Sequence, residues 1–351
     1  MNGLEVQDTT SGNGNLHARV FRVVLTSHLP VLCFPLSQIV ADVIGKEFTE
    51  CRKGDNWAQM PAFAMAKRIM TAASAFVFFG AELSSDPEFL NAALAYPEDL
   101  FSTAEVLRLS PALLHPILAP VLMRNHKAVR TLVEHLAPLV EWRLSQARRG
   151  LPFENTKEEK PGDCIQFFVD ANNHKKEWTA QKITQVLLGT WFAAIHQPAL
   201  TLVYALQDIC DNADYLDALR QEVSQIYPSL TLSSACPSSI QKLENAPLLD
   251  AFFKESSRLH PSDSISVRRK VISPFTFHDG THVFPGDVAC VPSQAVMTDE
   301  RYYTDSMKFS PWRFIRDNTD GDPVGKCSRS ISKFTDTDFK YPFWGLGRHS
   351  W

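Results

Sequence analysis

Hydrophobic residues recur with helical spacing through most of the first 260 positions. Apolar side chains at i, i+3, i+4 and i+7 form one face of a helix, so this pattern predicts a chain of amphipathic helices. Residues 181–210 differ because Lys182 is their only charge before Asp208, which predicts a helix running through the middle of its domain. The predicted helices are His17–Leu29, Leu36–Phe48, Ala62–Phe79, Ala104–Leu122, Asn125–Ala147, Gln181–Cys210, Asn212–Ile226 and Leu243–Leu259.

Beyond residue 260 the helical pattern gives way to short runs of β-forming residues. Asp279-Gly280 and Pro285-Gly286 are turn signals between them. The predicted strands are Ser266–Val271, Phe275–Phe277, His282–Phe284 and Val288–Val291. The fold class is therefore mainly α with a small β-sheet region. Its predicted parts are a disordered start at 1–16, a helical part at 17–260 with an exposed linker at Gly150–Pro161, a β-rich part at 261–300 and an irregular end at 301–351.

Composition narrows the classes of function. The chain has 351 residues, of which 44% are hydrophobic, so it can bury a large core. The net charge of −4 and the scattered basic residues argue against a nucleic-acid surface. Seven cysteines without a CxxC pair indicate reduced thiols rather than disulfides or a zinc site. We expect no signal peptide, because the polar N-terminus lacks the basic-then-apolar order of one. We expect no membrane anchor, because prolines and polar residues interrupt the apolar stretches Thr26–Val43 and Ala104–Met123.

Three motifs follow one another in the last hundred residues. Glu255-Ser-Ser-Arg258 places a carboxylate and a guanidinium on one helix face, although the same pattern in Glu105-Val-Leu-Arg108 shows that one copy alone is a surface pair more often than not. The segment 309–314 reads FSPWRF, and 343–351 reads FWGLGRHSW. Their order carries more information than any one of them.

This order resembles the cytochrome P450 family, and the resemblance extends from about His17 to Trp351. It implies a partial cytochrome P450 fold with a buried triad of Glu255, Arg258 and Arg313. It also implies that 343–351 is the haem-binding loop, with cofactor-binding positions at Trp344, Gly345, Gly347 and His349. The family's ligating cysteine then falls on Trp351, and an indole has no lone pair for a metal.

The long apolar helix adds a fourth likeness in Trp191–Pro198. There His196 and Gln197 match the acid and threonine positions of the family's oxygen-binding helix, so they are the candidate catalytic residues. Pro198 predicts a kink for its own steric reasons. A core histidine in a proline-kinked helix is the alternative. The resemblance also makes Arg22 and Arg268 partners of the haem propionates, for which surface roles are the alternative, and alternation along the strand predicts that only one of Arg268 and Arg269 points inward.

The function that the resemblance implies is that of a haem-dependent monooxygenase of fungal secondary metabolism, terpenoid or meroterpenoid in type. Its partners would be a small apolar substrate, in a pocket built from Phe76–Phe79, Phe192 and the residues after Arg258, and NADPH-cytochrome P450 reductase. The family works at the cytosolic face of the endoplasmic reticulum. Here we expect a chain truncated at both ends, cytoplasmic and inactive without the cysteine. The alternative is a non-enzymatic helical protein that binds ligands or partners.

Overall fold

The computed structural model describes residues 16–54, 57–149, 162–172, 178–226, 246–315 and 332–346. The chain divides into two compact units. The first comprises Met1–Ala199 with Thr231–Gln241, and the second comprises Leu200–Leu230 with Lys242–Trp351. Helices dominate the described residues and the β-structure is confined to short strands, so the predicted fold class is confirmed. The linker predicted at Gly150–Pro161 and residues 1–15 of the disordered start predicted at 1–16 lie outside the described residues, whereas Leu16 already begins a helix.

The first unit opens with one continuous helical run rather than the two helices predicted. Helix α1 (Leu16–Arg19), a π-helical segment (Val20–Leu25) and helix α2 (Thr26–Glu50) follow without a break. Pro30 and Pro35 both lie inside α2, because each proline removes only one backbone donor and the neighbouring turns keep theirs. A two-stranded antiparallel hairpin follows, with β1 at Arg52–Lys53 and β2 at Ala58–Gln59.

Three helical runs among the described residues are long and apolar enough to cross a membrane by length and composition. They are Leu16–Glu50, Ala62–Ser84 and Ala180–Asp211. The expectation that interruptions disqualify Thr26–Val43 was wrong, because mean apolarity over the run outweighs single prolines and polar residues. The first run is also the least covered, with 6% of its most apolar window buried against 33% for each of the others.

The rest of the first unit is a set of packed helices. Helix α4 begins at Pro87, well before the predicted start at Ala104, because the Asp86 carboxylate caps it by accepting from the backbone N–H groups of Glu88 (2.8 Å) and Phe89 (3.3 Å). The elements are α3 (Ala62–Ser84), α4 (Pro87–Leu109), a 3-10 turn (Ala112–Leu114), α5 (His115–Leu122), a 3-10 turn (Arg124–His126), α6 (Lys127–Arg148), α7 (Cys164–Asn172), α8 (Ala180–Trp191) and the start of α9 (His196–Asp211).

Aromatic residues fill the core of this unit. The Trp191 side chain is fully buried, its indole N–H donates to the Ala93 carbonyl at 3.0 Å, and its ring centroid lies 4.9 Å from that of Phe79. Phe79 also packs edge-on against Phe89 at 5.1 Å. The prediction that Phe79 lines a substrate pocket is therefore corrected: its ring belongs to the hydrophobic core, while Phe192 is half-buried.

The second unit combines helices with two further antiparallel sheets. The predicted turn at Asp279-Gly280 is present, with Gly280 at φ 85°, and it joins β4 to β5. Strand β3 pairs with β6 through a bulge between Ser266 and Arg269. The elements are the remainder of α9, α10 (Asp214–Ile226), α11 (Pro247–Leu259), β3 (Ser266–Lys270), β4 (Phe275–Thr276), β5 (His282–Val283), β6 (Val288–Val291), α12 (Ser293–Met297) and 3-10 turns at Pro311–Phe314 and Pro342–Trp344.

A buried ion pair lies beneath a glycine in the first unit. Arg143 Nη1 donates to Asp163 Oδ1 at 2.6 Å, and the same oxygen accepts from the backbone N–H of Gln166 at 2.9 Å, at the start of α7. Gly80 passes over this carboxylate with φ 87° and ψ 176°, a conformation that only glycine adopts readily. A Cβ atom at position 80 would overlap Asp163 Oδ2. Position 80 thus requires glycine for its backbone and for the ion pair.

We expect Gly80→Ala to lower the free energy of unfolding by at least about 3 kcal/mol, because it strains the backbone and displaces a buried charge pair. Gly45→Ala is the matched control: Gly45 lies in α2 with no atom within 4 Å of an added Cβ. It should stabilise the protein by about 0.5–1 kcal/mol. Urea unfolding followed by circular dichroism measures both. Equal effects of the two substitutions would contradict the assignment.

Candidate functional site: a buried charge cluster on helix α11

Helix α11 is buried on nearly every side, which is unusual for a helix that carries so many polar residues. Glu222 of α10 accepts the first backbone N–H groups of α11, from Leu248 and Leu249, at 2.9 Å each. Leu248 and Phe252 pack into an apolar cluster with Leu219 of α10. The faces of α11 that do not contact α10 can therefore place charged side chains against residues that come later in the sequence. The buried residues of the helix are Leu248, Ala251, Phe252, Lys254, Glu255, Ser256, Ser257 and Arg258.

Glu255, Arg258 and Arg313 form the predicted triad. Arg258 donates from Nε to Glu255 Oε2 at 2.7 Å and from Nη2 to Oε1 at 2.9 Å, a bidentate pair with no solvent exposure of either side chain. Arg313 Nε donates to the same Oε1 at 3.1 Å. The backbone N–H of Ser310 is a further donor to that oxygen, at 2.9 Å. The carboxylate is thus held by two cations and an amide, as a buried charge requires.

The two arginines extend the cluster into the backbone of the following segment. Arg258 Nη1 donates to the Met297 carbonyl at 2.7 Å. Arg313 donates to the carbonyls of Thr304 (2.9 Å), Lys308 (3.0 Å) and Asp305 (3.3 Å). Residues 297–313 are therefore wrapped around one ionic centre on α11, beside apolar contacts of Phe309 with Phe252 and of Tyr303 with Ala251.

Tyr303 closes the cluster from one side. The Arg258 guanidinium lies 4.9 Å from the centroid of its ring, and its hydroxyl donates to the Lys340 carbonyl at 2.9 Å. Burial raises the pKa of Tyr303 to about 12, against a partly opposing influence from the positive charge of Arg258. A neutral phenol is thereby retained beside the ion pairs.

The loop predicted at 343–351, called the glycine loop below, begins with a defined turn at Trp344 and Gly345 in the second unit. The Trp344 indole N–H donates to the Phe334 carbonyl at 2.7 Å. Gly345 has φ 79°, and its N–H donates to the Pro342 carbonyl at 3.0 Å. The chain thus makes a glycine-dependent turn immediately after Trp344. The predicted positions Gly347, His349 and Trp351 lie outside the described residues.

In the first unit, the long helix is interrupted just before His196. Residues 192–195 form turns, and His196 begins α9. Pro198 has no N–H to offer the carbonyl of Ala194, four residues earlier, and the hydroxyl of Ser74 lies 3.5 Å from that oxygen instead. The predicted kink is confirmed, and it lies on the N-terminal side of the proline.

His196 is half-buried and Gln197 likewise. Desolvation lowers the pKa of His196, with a smaller upward influence from Glu98 and a smaller downward one from Lys67. Lys67 and Glu98 are themselves an ion pair between α3 and α4. The neutral imidazole is thus the favoured form at neutral pH, consistent both with a proton-transferring role and with a core histidine.

The predicted propionate partners lie on exposed surfaces of their own units. Arg22 is an exposed residue of the π-helical segment. Arg268 and Arg269 are both exposed, so the expectation that one of them points inward was wrong. Val267 has φ 51° and the pairing with β6 shifts at that point, which breaks the two-residue alternation.

Sequence reasoning missed Asp250, Lys254 and Tyr303. Asp250 and Lys254 lie on the same helix as Glu255 and Arg258 but bind residues 332–334, and the Tyr303 ring contacts the Arg258 guanidinium. The sequence contained a signal for Lys254. It follows the apolar residues 251–253 and precedes Glu255, and a lysine that is buried there must find hydrogen-bond partners or lose its charge. Among the residues that the structure describes, no group of three or more His, Cys, Asp or Glu side chains is arranged to hold a metal ion.

Comparisons with known proteins identify the family. The sequence profile of the family described as "Cytochrome P450" matches residues 16–341. The chain is 26% identical over 339 residues to "Cytochrome P450 monooxygenase 151" of Postia placenta, covering 95% of this chain and 64% of that protein. It is 28% identical over 348 residues to "Cytochrome P450 monooxygenase AtmP" of Aspergillus flavus, covering 97% and 63%. The chain thus spans slightly less than two thirds of the length of these relatives.

Solved structures show the same fold. "Retinoic acid bound cyanobacterial CYP120A1" superposes with a TM-score of 0.66 at 20% identity, covering 97% of this chain and 68% of that one. A zebra fish cytochrome P450 with progesterone gives 0.64 at 17% identity, covering 97% and 71%. At such identities the likeness concerns the fold alone.

The two E-x-x-R copies provide a matched test of burial. We expect Glu255→Gln to lower the free energy of unfolding by about 3–5 kcal/mol, because it leaves two guanidiniums without their carboxylate. Glu105→Gln should change it by no more than about 0.5 kcal/mol, since the side chains of Glu105 and Arg108 are 47% and 68% exposed. Urea midpoints compare the two variants, and similar losses would refute the distinction.

The pH dependence tests Tyr303. Its folded-state pKa of about 12 exceeds the ordinary value of about 10, so its contribution to stability is complete below pH 10 and is lost as the pH rises toward 12. We expect Tyr303→Phe to cost about 1 kcal/mol at neutral pH through the lost hydrogen bond, and to show a smaller loss between about pH 10 and 12. Thermal unfolding across that range measures this.

Tyr302→Phe is the control, since the neighbouring Tyr302 is 41% exposed. It should retain the full alkaline loss of the unsubstituted protein. An identical alkaline profile for Tyr303→Phe would contradict the assignment.

Proposed function

Because the chain belongs to the cytochrome P450 family, we propose that it carries the scaffold of a fungal secondary-metabolism monooxygenase for a small apolar substrate, of terpenoid or meroterpenoid type. The observation that carries the proposal is the buried cluster of Glu255, Arg258 and Arg313, followed along the chain by the glycine turn at Gly345. Monooxygenases from Postia placenta, Aspergillus flavus and Penicillium crustosum among the relatives support the reaction class.

The side chains present do not fit a thiolate-ligated haem. Position 351, where the family's cysteine falls, is tryptophan, whose indole N–H is a donor only. Among the described residues, the free cysteines are 33, 51, 164, 210 and 290, all remote in sequence from the glycine loop. Cys164 is buried, and desolvation raises the pKa of its thiol far above the ordinary range, with a further contribution from Asp163. We therefore propose that this chain, as its sequence stands, does not perform haem-thiolate oxidation.

Roles follow for the remaining predicted residues. Arg22, Arg268 and His349 are proposed as the cationic positions that face haem carboxylates in the family, and Trp344, Gly345 and Gly347 as the positions that shape its loop. His196 and Gln197 are proposed as the catalytic pair, at the positions of the family's oxygen-binding helix. The lowered pKa of His196 supports this, because a neutral imidazole accepts a proton readily near neutral pH. NADPH-cytochrome P450 reductase, which the family implies, is the proposed redox partner.

A second function is a ligand-binding or interaction protein of the same fold. The mismatch at Trp351 favours it, because a helical protein can bind an apolar ligand without a metal-ligating thiolate. The two proposals differ in one measurable respect. A monooxygenase that has lost its ligand should regain haem-thiolate character when a thiol is restored, whereas a binding protein has no such requirement.

The protein reconstituted with haem should show no thiolate-type Soret band in the reduced carbonmonoxy spectrum. Trp351→Cys, which restores a thiol at the loop position, should show that band and thereby support the monooxygenase scaffold. Trp312→Cys is the control, because Trp312 is 52% exposed and lies outside the loop. A thiolate band from the unsubstituted chain would refute the proposed loss. Its absence from Trp351→Cys would favour the binding protein.

A further inference from the structure

Helix α11 holds a second segment of chain besides the one bound by the triad. Asp250 and Lys254 lie one turn apart on it, so their side chains emerge on the same face. Lys254 Nζ donates to Ser332 Oγ at 2.7 Å and to the Lys333 carbonyl at 2.6 Å. Asp250 Oδ2 accepts from the backbone N–H of Phe334 at 2.6 Å. Three consecutive residues, 332–334, are thus bound to this face.

Phe334 connects Asp250 of α11 to Trp344 at the start of the glycine loop. Its N–H is held by Asp250, while its carbonyl accepts the indole N–H of Trp344 at 2.7 Å. The Phe334 ring lies 5.1 Å from that of Trp344, in an edge-on arrangement, and 5.9 Å from that of Phe343. The position of Trp344 is therefore defined by a residue whose backbone is itself fixed by α11.

Burying the Lys254 ammonium costs desolvation energy, and this cost indicates that the residue has a specific role. It is 1% exposed, and among the described residues no carboxylate forms an ion pair with it. Its ammonium lies 4.7 Å from the centroid of the Tyr341 ring and 5.2 Å from that of Phe314. Burial lowers its pKa, and the Asp336, Asp250 and Asp338 carboxylates oppose this in part. A methionine would fill the same space without the desolvation cost.

We propose that Asp250 and Lys254 are positioning residues for the glycine loop, acting through Phe334 on Trp344. This rests on the proposed function only in taking that loop as the functional one. Helix α11 then carries two independent clamps. Glu255 and Arg258 hold residues 297–313, and Asp250 and Lys254 hold residues 332–344.

Hydrogen–deuterium exchange of the full chain, without added haem, tests the proposal. Lys254→Met and Asp250→Ala should each raise the exchange rate of residues 332–346 by about tenfold or more, because they remove hydrogen bonds that close this segment. Residues 297–313 should exchange as before. Asp250→Asn keeps a carbonyl acceptor for the Phe334 N–H and should largely restore protection.

Matched controls separate this effect from a change of charge or of global stability. Lys333→Met removes the same charge, but the side chain of Lys333 is exposed and its carbonyl is kept. Asp263→Ala is the control for Asp250→Ala, because it removes the same charge from an exposed residue just beyond α11. Both should leave exchange in 332–346 unchanged.

The position of Trp344 has its own readout. With the seven tryptophans replaced by 5-fluorotryptophan, Trp344→Phe identifies the fluorine resonance of Trp344. Lys254→Met and Asp250→Ala should shift or broaden this resonance and leave that of Trp312 in place. If either variant does not fold, the other decides the question.

Unchanged exchange of 332–346 and an unchanged Trp344 resonance in either folded variant would overturn the proposal. Equal acceleration in 297–313 and 332–346 would also overturn it, because it would indicate general destabilisation. Since no haem is present, the result is independent of the outcome for the proposed function.

Discussion

The second unit depends on one buried carboxylate. Glu255 is a charge without solvent exposure, and such a charge is tolerated only when its oxygens are fully matched. Two arginines and the Ser310 amide supply that match. The arginines in turn need acceptors for their other N–H groups, and they find them in the carbonyls of Met297, Thr304, Asp305 and Lys308. Segment 297–313 has few hydrogen bonds of regular structure, so these ionic contacts replace a helix or sheet in defining its course.

The same reasoning explains which parts could be predicted from sequence. The E-x-x-R pair at 255–258 and the arginine at 313 were predicted as a triad only because two further motifs followed in order. Spacing alone did not separate them from Glu105 and Arg108, which form an equally regular but exposed pair. Whether a helix residue is buried depends on which distant segment packs over it, so burial cannot be predicted from the neighbouring residues in the sequence. Asp250 and Lys254 were missed for this reason, since their partners lie about 80 residues further on.

Helix boundaries, unlike burial, can be set by local chemistry, and the prediction for the start of α4 did not use that information. Asp86-Pro87 is a strong start signal, since aspartate accepts the first backbone N–H groups and proline suits the first turn. Helix α4 begins there. Conversely, Pro30 and Pro35 did not divide α2, whereas Pro198 coincides with a real interruption of the long helix. At that interruption the Ser74 hydroxyl lies 3.5 Å from the Ala194 carbonyl, which Pro198 leaves without its helical donor.

The residues that stabilise this fold are different from position 351, which we propose as the counterpart of the family's iron ligand. Glu255, Arg258 and Arg313 satisfy one another, Gly80 fits the Arg143–Asp163 pair, and Trp191 bonds to the Ala93 carbonyl; none of these contacts involves position 351. Each of these contacts lies within one unit and is made by other residues, so it carries no information about the side chain at position 351. It follows that an intact scaffold is no evidence for an intact reaction. The likeness to family members establishes the architecture, and the chemistry has to be judged from the side chain at 351.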